Sequence, residues 1–257
     1  MNRQIVAAAA MAAFGLMAVL DEAGADLLPA QDAALKVCGP EGPAAPMKEC
    51  AEIFTKLYGK KVEVVAGPAS KWTAQAKNGA DVIYGGAEYM LSQFMTDHSC
   101  IVSDVARTSL YRRAGGILVR KGNPKRITSL SDLAREGIRL LEVNGDGETG
   151  LWEDMAGKQG LIPGIQKNIA VSVGTSAAAI TAWNSTPELD AWITFESWHY
   201  RLPDVTDLVS LPESERVYRG TPVAATTFYK NKESARSFIQ FLLTEQCHAV
   251  FQKWGWR

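Results

Sequence analysis

Histidine is scarce in this 257-residue chain. The three that occur, His98, His199 and His248, stand far apart and match no metal-binding spacing such as HExxH. No CxxC joins any two of the four cysteines, which argues against a zinc ribbon or a thioredoxin-type dithiol. GxSxG, GxxxxGK[ST] and a strand-borne GxGxxG are all missing, and Gly145-Asp146-Gly147 is only a fragment of the last. Glu153 and Asp154 are adjacent on an expected helix, so their side chains diverge and do not face each other as an acid–base pair. These absences remove the constellations that hydrolysis, nucleotide use and metal catalysis need. The chain therefore reads as a binder rather than an enzyme, with no cofactor. Charge of either sign is also in balance, with 27 basic and 28 acidic residues. That balance excludes nucleic acid and a polybasic membrane contact as partners, so any charge selectivity must be local.

What is present begins at the N-terminus. Arg3 precedes an apolar run over residues 5–20, and Ala23-Gly24-Ala25 is a small-x-small cleavage signal. This is the pattern of a secretory signal peptide over residues 1–25, and the run is short for a membrane span, which needs roughly 20 apolar residues. No cysteine follows the run, so a lipoprotein is not expected, and no later segment is long and apolar enough to span a bilayer. Export to the periplasm is the expectation. Such a compartment permits disulfides among Cys38, Cys50, Cys100 and Cys247. Three connectivities are open, and the short-loop pair Cys38–Cys50 with Cys100–Cys247 is preferred, beside the alternative that some are plain buried thiols.

From Leu35 onward one unit recurs: short strand, glycine-containing turn, helix. Residues 35–38 form a strand that ends in the turn Gly39-Pro40-Glu41-Gly42-Pro43. Residues 47–58 form a helix with Met47, Cys50, Ala51, Phe54 and Leu57 on one stripe, stopped by Gly59. A strand over 62–66 leads through Gly67-Pro68-Ala69 into a helix capped by Ser70. Another, over 81–84, leads through Gly85-Gly86 into a helix reaching Phe94. Strands alternating with helices imply a parallel sheet and an α/β class. All strand-to-helix turns then share one edge, each offering free N–H groups and a partial positive charge. Helix N-termini converging there make an anion site with little need for basic side chains.

Residues 110–120 read as an extended crossing into a second lobe that repeats the pattern. Ser129 caps a short helix there, and strands follow over 138–143, 169–173 and 190–195. Between them lie the loop Asn144-Gly145-Asp146-Gly147-Glu148-Thr149-Gly150 and the turn Gly174-Thr175-Ser176. The chain returns near 200–215, adds a strand over 223–229 and closes with one or two helices over 232–254. The lobes are expected at 34–112 plus 215–257 and at 113–214.

The runs GPEGPAAPMKECAEIF, GPASKWTAQAKNGADVIYGGAEYM, TGLWEDMAG, DAWITFESW, VYR and the terminal WGWR occur in that order. Together they resemble the accessory colonization factor (AcfC) family, periplasmic binding proteins related to molybdate- and sulfate-binding proteins. The resemblance covers residues 36–257. It implies a two-lobed type II periplasmic binding protein, each lobe a mainly parallel sheet flanked by helices, with a ligand in the inter-lobe cleft. The implied ligand is a small oxyanion or a small organic acid, phosphorylated or not. The implied ligand-binding residues are Gly39, Pro40, Gly42, Ser70, Lys71, Gly85, Gly86, Thr149, Thr175 and Ser176, and Arg113 and Trp192 lie in matched stretches as well. Delivery to an ABC-transporter membrane component or a chemoreceptor follows from the same likeness, as a monomer or a homodimer. Two departures stand out. Glu41 replaces a glycine of the usual GPGGP turn, and Asp146 and Glu148 enter a loop that is Gly/Ser/Thr-rich in relatives. Carboxylates beside an anion oppose it unless they are paired, which opens the way to a ligand carrying hydroxyl or amine donors.

Each candidate also has a plainer role. Lys71, Arg113 and Arg219 would neutralise ligand charge, Arg by a two-pronged clamp, or else lie as solvated surface charges. Ser70, Thr149, Thr175 and Ser176 would donate hydroxyls, or simply cap helices. Trp192 is expected half-buried with an edge toward the cleft, whereas Trp254 and Trp256 are expected as structural packing. Solute capture leads. A surface adhesin using the fold as a scaffold is the alternative, and the preserved Gly/Ser/Thr turns count against it. The effector domain of a cytoplasmic regulator is a third reading, opposed by the signal peptide.

Overall fold

Residues 33–98, 107–227 and 232–257 are described by a computed structural model. The expected signal peptide, Cys100 and part of the 223–229 strand lie outside the described residues.

The N-terminal units form as their patterning dictates. Strand β1 (Leu35–Gly39) is followed by helix α1 (Ala44–Tyr58), which buries Met47, Cys50, Ala51 and Phe54. Gly59, at φ 68°, ends it by donating its N–H to the Thr55 carbonyl, a left-handed stop that glycine adopts without strain. Leu57 departs from the expected stripe and is 57% exposed. β2 (Val62–Ala66), α2 (Ala69–Lys77), β3 (Val82–Tyr84) and α3 (Glu88–Asp97) complete the set. β1 lies between β2 and β3 and is parallel to both.

β4 (Thr108–Arg120) is the long crossing strand. Its first part pairs antiparallel with β9 (Tyr218–Ala225), which also pairs antiparallel with β3. Beyond Gly115, whose N–H donates to the Val217 carbonyl, β4 pairs instead with β7 (Ala191–Phe195) and β8 (Thr206–Val209). β5 (Leu140–Val143) lies parallel between β6 (Ile169–Val173) and β7. The strand order is β2-β1-β3-β9-β4-β7-β5-β6, with β8 branching from β4. Helices α4 (Leu151–Gly157), α5 (Ile162–Asn168) and α6 (Ser176–Ser185) flank the second half. α7 (Lys232–Leu242) and α8 (Glu245–Lys253) close the chain against α1.

Separate apolar cores sit under the two halves. One gathers Leu35, Met47, Phe54, Val82, Phe238 and Phe251, with a smaller group around Trp72, Ile83 and Leu91. The other gathers Ile117, Leu140, Met155, Trp183, Trp192 and Trp198. Among the described residues, β4, β9 and the segments beside them pass between the halves, a two-stranded link of the kind that hinges use.

The structure revises several expectations. The helix beginning at Ser129 is a short 3-10 turn over Ser131–Ala134. β8 was not foreseen, since four residues on the flank of a longer strand carry little pattern. The last strand begins at Tyr218 rather than 223. Cys38, Cys50 and Cys247 are free buried thiols, so the Cys38–Cys50 bridge is absent. Those two side chains point to different cores because β1 alternates its faces: Cys38 faces the Trp72 group, while Cys50 lies in the Phe54 group beside Cys247.

Candidate functional site

The strand-to-helix turns at the C-terminal ends of the parallel strands are where the two halves meet. Arg113 is central. It sits on β4 just before Gly115, where that strand changes partners. Its side chain is only 1% exposed. The guanidinium carbon lies 3.7 Å from the centre of the Phe195 ring and 5.5 Å from that of Trp256. Nη2 donates to the Gly86 carbonyl at 2.9 Å. Nε and Nη1 are buried and have no hydrogen-bond partner among the described residues. Burial pulls the Arg113 pKa down to about 10, with Glu148, Tyr89 and Asp146 holding it up, so it remains cationic at neutral pH.

The turns of the first half are shaped around that guanidinium. A Cβ on Gly42 would lie 2.7 Å from Nη1, so only glycine admits Arg113 so close to the start of α1. Gly39 packs against Tyr84, and Gly86 has Pro40 on one side. α1 begins without any side-chain cap, leaving its first N–H groups free of side-chain acceptors.

The turns of the second half carry acids. Glu148 is 2% exposed. Its Oε2 accepts from Thr194 Oγ1 at 2.7 Å, and its Oε1 accepts from Ser176 Oγ at 3.4 Å. Asp146, held at φ 47°, accepts the backbone N–H of Ser176 through Oδ2 at 2.9 Å. Thr175 caps α6 by accepting from the Ala178 N–H at 3.2 Å. The N-terminus of α6 is thus occupied by the chain's own carboxylate. Burial pushes the Asp146 carboxyl up, with the Ser176 N–H and Arg113 opposing. For Glu148 burial dominates and raises the pKa to about 7, against Thr194, Arg113 and Trp198, with Asp146 adding to the rise.

The two sets of turns touch. A Cβ on Gly86 would lie 3.0 Å from the Asp146 carbonyl oxygen, and one on Gly147 would lie 2.9 Å from the Gly86 carbonyl carbon. The Thr149 N–H donates to Tyr89 Oη at 3.1 Å. A second bridge joins Arg201 to Glu41 at 2.8 Å, with Arg201 stacked 4.4 Å over Trp198. The terminal WGWR segment braces the crossing: Arg112 and Arg257 exchange backbone hydrogen bonds at 3.0 and 2.7 Å. Trp256 Nε1 donates to Thr221 Oγ1 at 2.9 Å.

Of the residues picked from sequence, Gly39, Pro40, Gly42, Gly85, Gly86, Arg113, Thr149, Thr175 and Ser176 lie along these meeting turns. Ser70 and Lys71 are exposed on the first turn of α2, and Ser70 does not cap it; Pro68 occupies the cap position. Trp192 is fully buried among Trp183 and Trp198, with no edge left for a cleft. Arg219 pairs with Asp154. Glu148, Asp146, Tyr89, Thr194, Phe195 and Arg201 belong to the cluster and were not selected. The two acids were visible as departures in a glycine loop, but nothing in sequence placed them beside Arg113.

Two α/β halves joined by a pair of crossing strands, with a buried Arg between facing turns, define a type II periplasmic binding protein fold. The chain belongs to the bacterial extracellular solute-binding protein family, whose model matches residues 35–257. That is a family of binding proteins rather than enzymes. Among solved structures, Peb3 from Campylobacter jejuni is 31% identical, with a TM-score of 0.79, covering 87% of this chain and 99% of that one. PEB3 bound to L-phospholactate matches with a TM-score of 0.80 at the same identity and coverage. The sulfate-binding protein SubI from Mycobacterium tuberculosis shares the fold at 18% identity, with a TM-score of 0.71, over 87% of this chain and 86% of its own. A search of curated proteins found no match.

Proposed function

We propose that this protein captures a small organic acid in the periplasm and holds it between lobes formed by residues 34–112 plus 215–257 and by 113–214. The observation that carries this reading is Arg113, a buried guanidinium with Nε and Nη1 unpartnered where the two halves meet. A carboxylate or phosphate supplies the acceptors that these guanidinium N–H groups lack, in charge-assisted hydrogen bonds. The glycine turns beside it add backbone N–H groups. Asp146 and Glu148 face the same place from the other half and favour a ligand that also carries hydroxyl or amine donors. A hydroxylated acid, phosphorylated or not, fits this mixed lining better than bare sulfate or molybdate, whose oxygens only accept. Support comes also from the phospholactate complex of PEB3 and from the sequence likeness to the accessory colonization factor family. The bound acid would pass to an ABC-transporter membrane component or a chemoreceptor, the protein acting as a monomer or a homodimer.

Titration calorimetry against L-phospholactate, phosphoglycerate, citrate, sulfate and molybdate tests this. Binding of one or more of the organic acids, weakened strongly by Arg113→Ala, is the expected result. No heat with any of the five overturns it and favours the scaffold reading.

A further inference from the structure

Glu148 has a place in the cluster that anion capture alone does not explain. The groups facing it are Arg113 from β4, Asp146 from its own loop, Ser176 at the start of α6, Thr194 on β7 and Trp198 just beyond it. Farther out, Tyr89 on α3 acts on Arg113, and Glu41 is paired with Arg201. That outer pair is internally balanced. What remains is one guanidinium against two carboxylates, all at the meeting of the lobes. An incoming acid adds another negative charge to the same guanidinium, in a setting where like charges repel far more than in water.

The two carboxylates differ in how they are held. Asp146 accepts a backbone N–H at the α6 N-terminus, where a negative charge is favoured. Glu148 takes its two hydrogen bonds from hydroxyls, which serve equally as donor or acceptor, with the donor-only Trp198 indole beside it. A protonated Glu148 therefore keeps both contacts: Oε2 still accepts from Thr194, and Oε1–H turns its donor toward Ser176 Oγ or toward the ligand. Burial has already brought this carboxyl up to about 7.

We infer that anion capture by this protein takes up one proton, carried by Glu148. This rests on the proposed binding of an acid at Arg113. The proton comes from solvent and ends on a Glu148 carboxylate oxygen, and no other bond is made or broken. Glu148 then sets specificity too, because its neutral form donates to a ligand oxygen that its ionised form would repel.

The experiment is calorimetry at pH 8 in two buffers of different ionisation enthalpy, with L-phospholactate, citrate and sulfate as probes. The wild-type protein should take up about one proton per anion, and its affinity should fall up to about tenfold per pH unit above 7. Glu148→Gln, which keeps the shape and the hydroxyl contacts, should bind with no uptake and a flat pH profile. Asp146→Asn should retain the uptake. Identical heats in both buffers for the wild type overturn the inference while leaving the binding reading intact. So does uptake that survives Glu148→Gln or disappears with Asp146→Asn. Absence of heat with every acid overturns the binding reading and this inference with it. The two-buffer measurement on the wild type decides the point even if a variant does not fold.

Discussion

The two halves of the molecule build their inner turns from opposite materials. In the first half the turns after β1 and β3 are mostly glycine and proline, and Arg113 lies against them, while the one acid among them, Glu41, is paired with Arg201. In the second half the turns after β5 and β6 carry Asp146 and Glu148, both bonded to Ser176, and Thr175, which caps α6 through the Ala178 N–H. One half presents donors that lack acceptors. The other fills its own helix N-terminus with a carboxylate and presents acceptors. The same topological unit thus gives either polarity, depending on whether the turn supplies bare backbone or acidic side chains. A ligand gripped by both needs an anionic end for Arg113 and, at its other end, groups that either donate to these acceptors or accept from a protonated Glu148.

Removing the donor side should have the largest effect. Arg113→Ala is expected to weaken binding of the cognate acid by at least about 100-fold, near 3 kcal/mol, as calorimetry would report. Arg113→Lys should recover only part of this, since an ammonium keeps charge but not the fork. Equal affinities for wild type and Arg113→Ala would dissolve the contrast between the halves.

The acid side should show itself in stability against pH. Glu148 has its folded pKa raised from 4.5 to about 7. The sign follows from linkage: a raised folded pKa gives stability that is full below the unfolded pKa and is lost as pH rises through the folded one. Denaturant unfolding should therefore find the unliganded protein losing up to about 3 kcal/mol between pH 4.5 and 7 from this group. Glu148→Gln should flatten that window and make the protein more stable than wild type at pH 8. A wild-type profile with no decline there would show Glu148 ionising as an ordinary surface acid.

Smaller effects should sharpen the geometry. Gly86→Ala places a Cβ 3.0 Å from the Asp146 carbonyl oxygen and should hold the turns apart. It is expected to lower affinity about tenfold, near 1.4 kcal/mol, with little change in the unliganded melting temperature. Thr175→Ala removes the α6 cap and should cost about 1 kcal/mol of stability in urea unfolding. Lys71→Ala, on an exposed turn, should change affinity less than about twofold, as expected of a solvated charge. A large loss there would move α2 into the site.

Much of this was legible without coordinates. The apolar stripe of Met47, Cys50, Ala51 and Phe54 marked α1, and the glycine turns marked where strands give way to helices. Thr175 read as a cap and is one. Ser70 read the same way and is not, because α2 begins at Ala69 with Pro68 in the cap position, which puts Ser70 inside the first turn. Trp192 was expected half-buried with an edge toward the cleft, yet it is fully buried and stacked on Trp198. The cysteine pairing failed for a related reason, since spacing along the chain says nothing about which face of β1 a side chain takes.

The sequence by itself determined the repeating strand–turn–helix units, the neutrality of the chain and the presence of bare turns at strand ends, because these depend on local periodicity and on backbone freedom. Tertiary structure alone decided that Arg113 lies with two nitrogens unpaired between the halves, that Glu148 faces it, and that Cys50 lies beside Cys247 rather than Cys38. Such facts are set by contacts between residues far apart in the chain, where the low dielectric of the interior converts proximity into charge state and specificity.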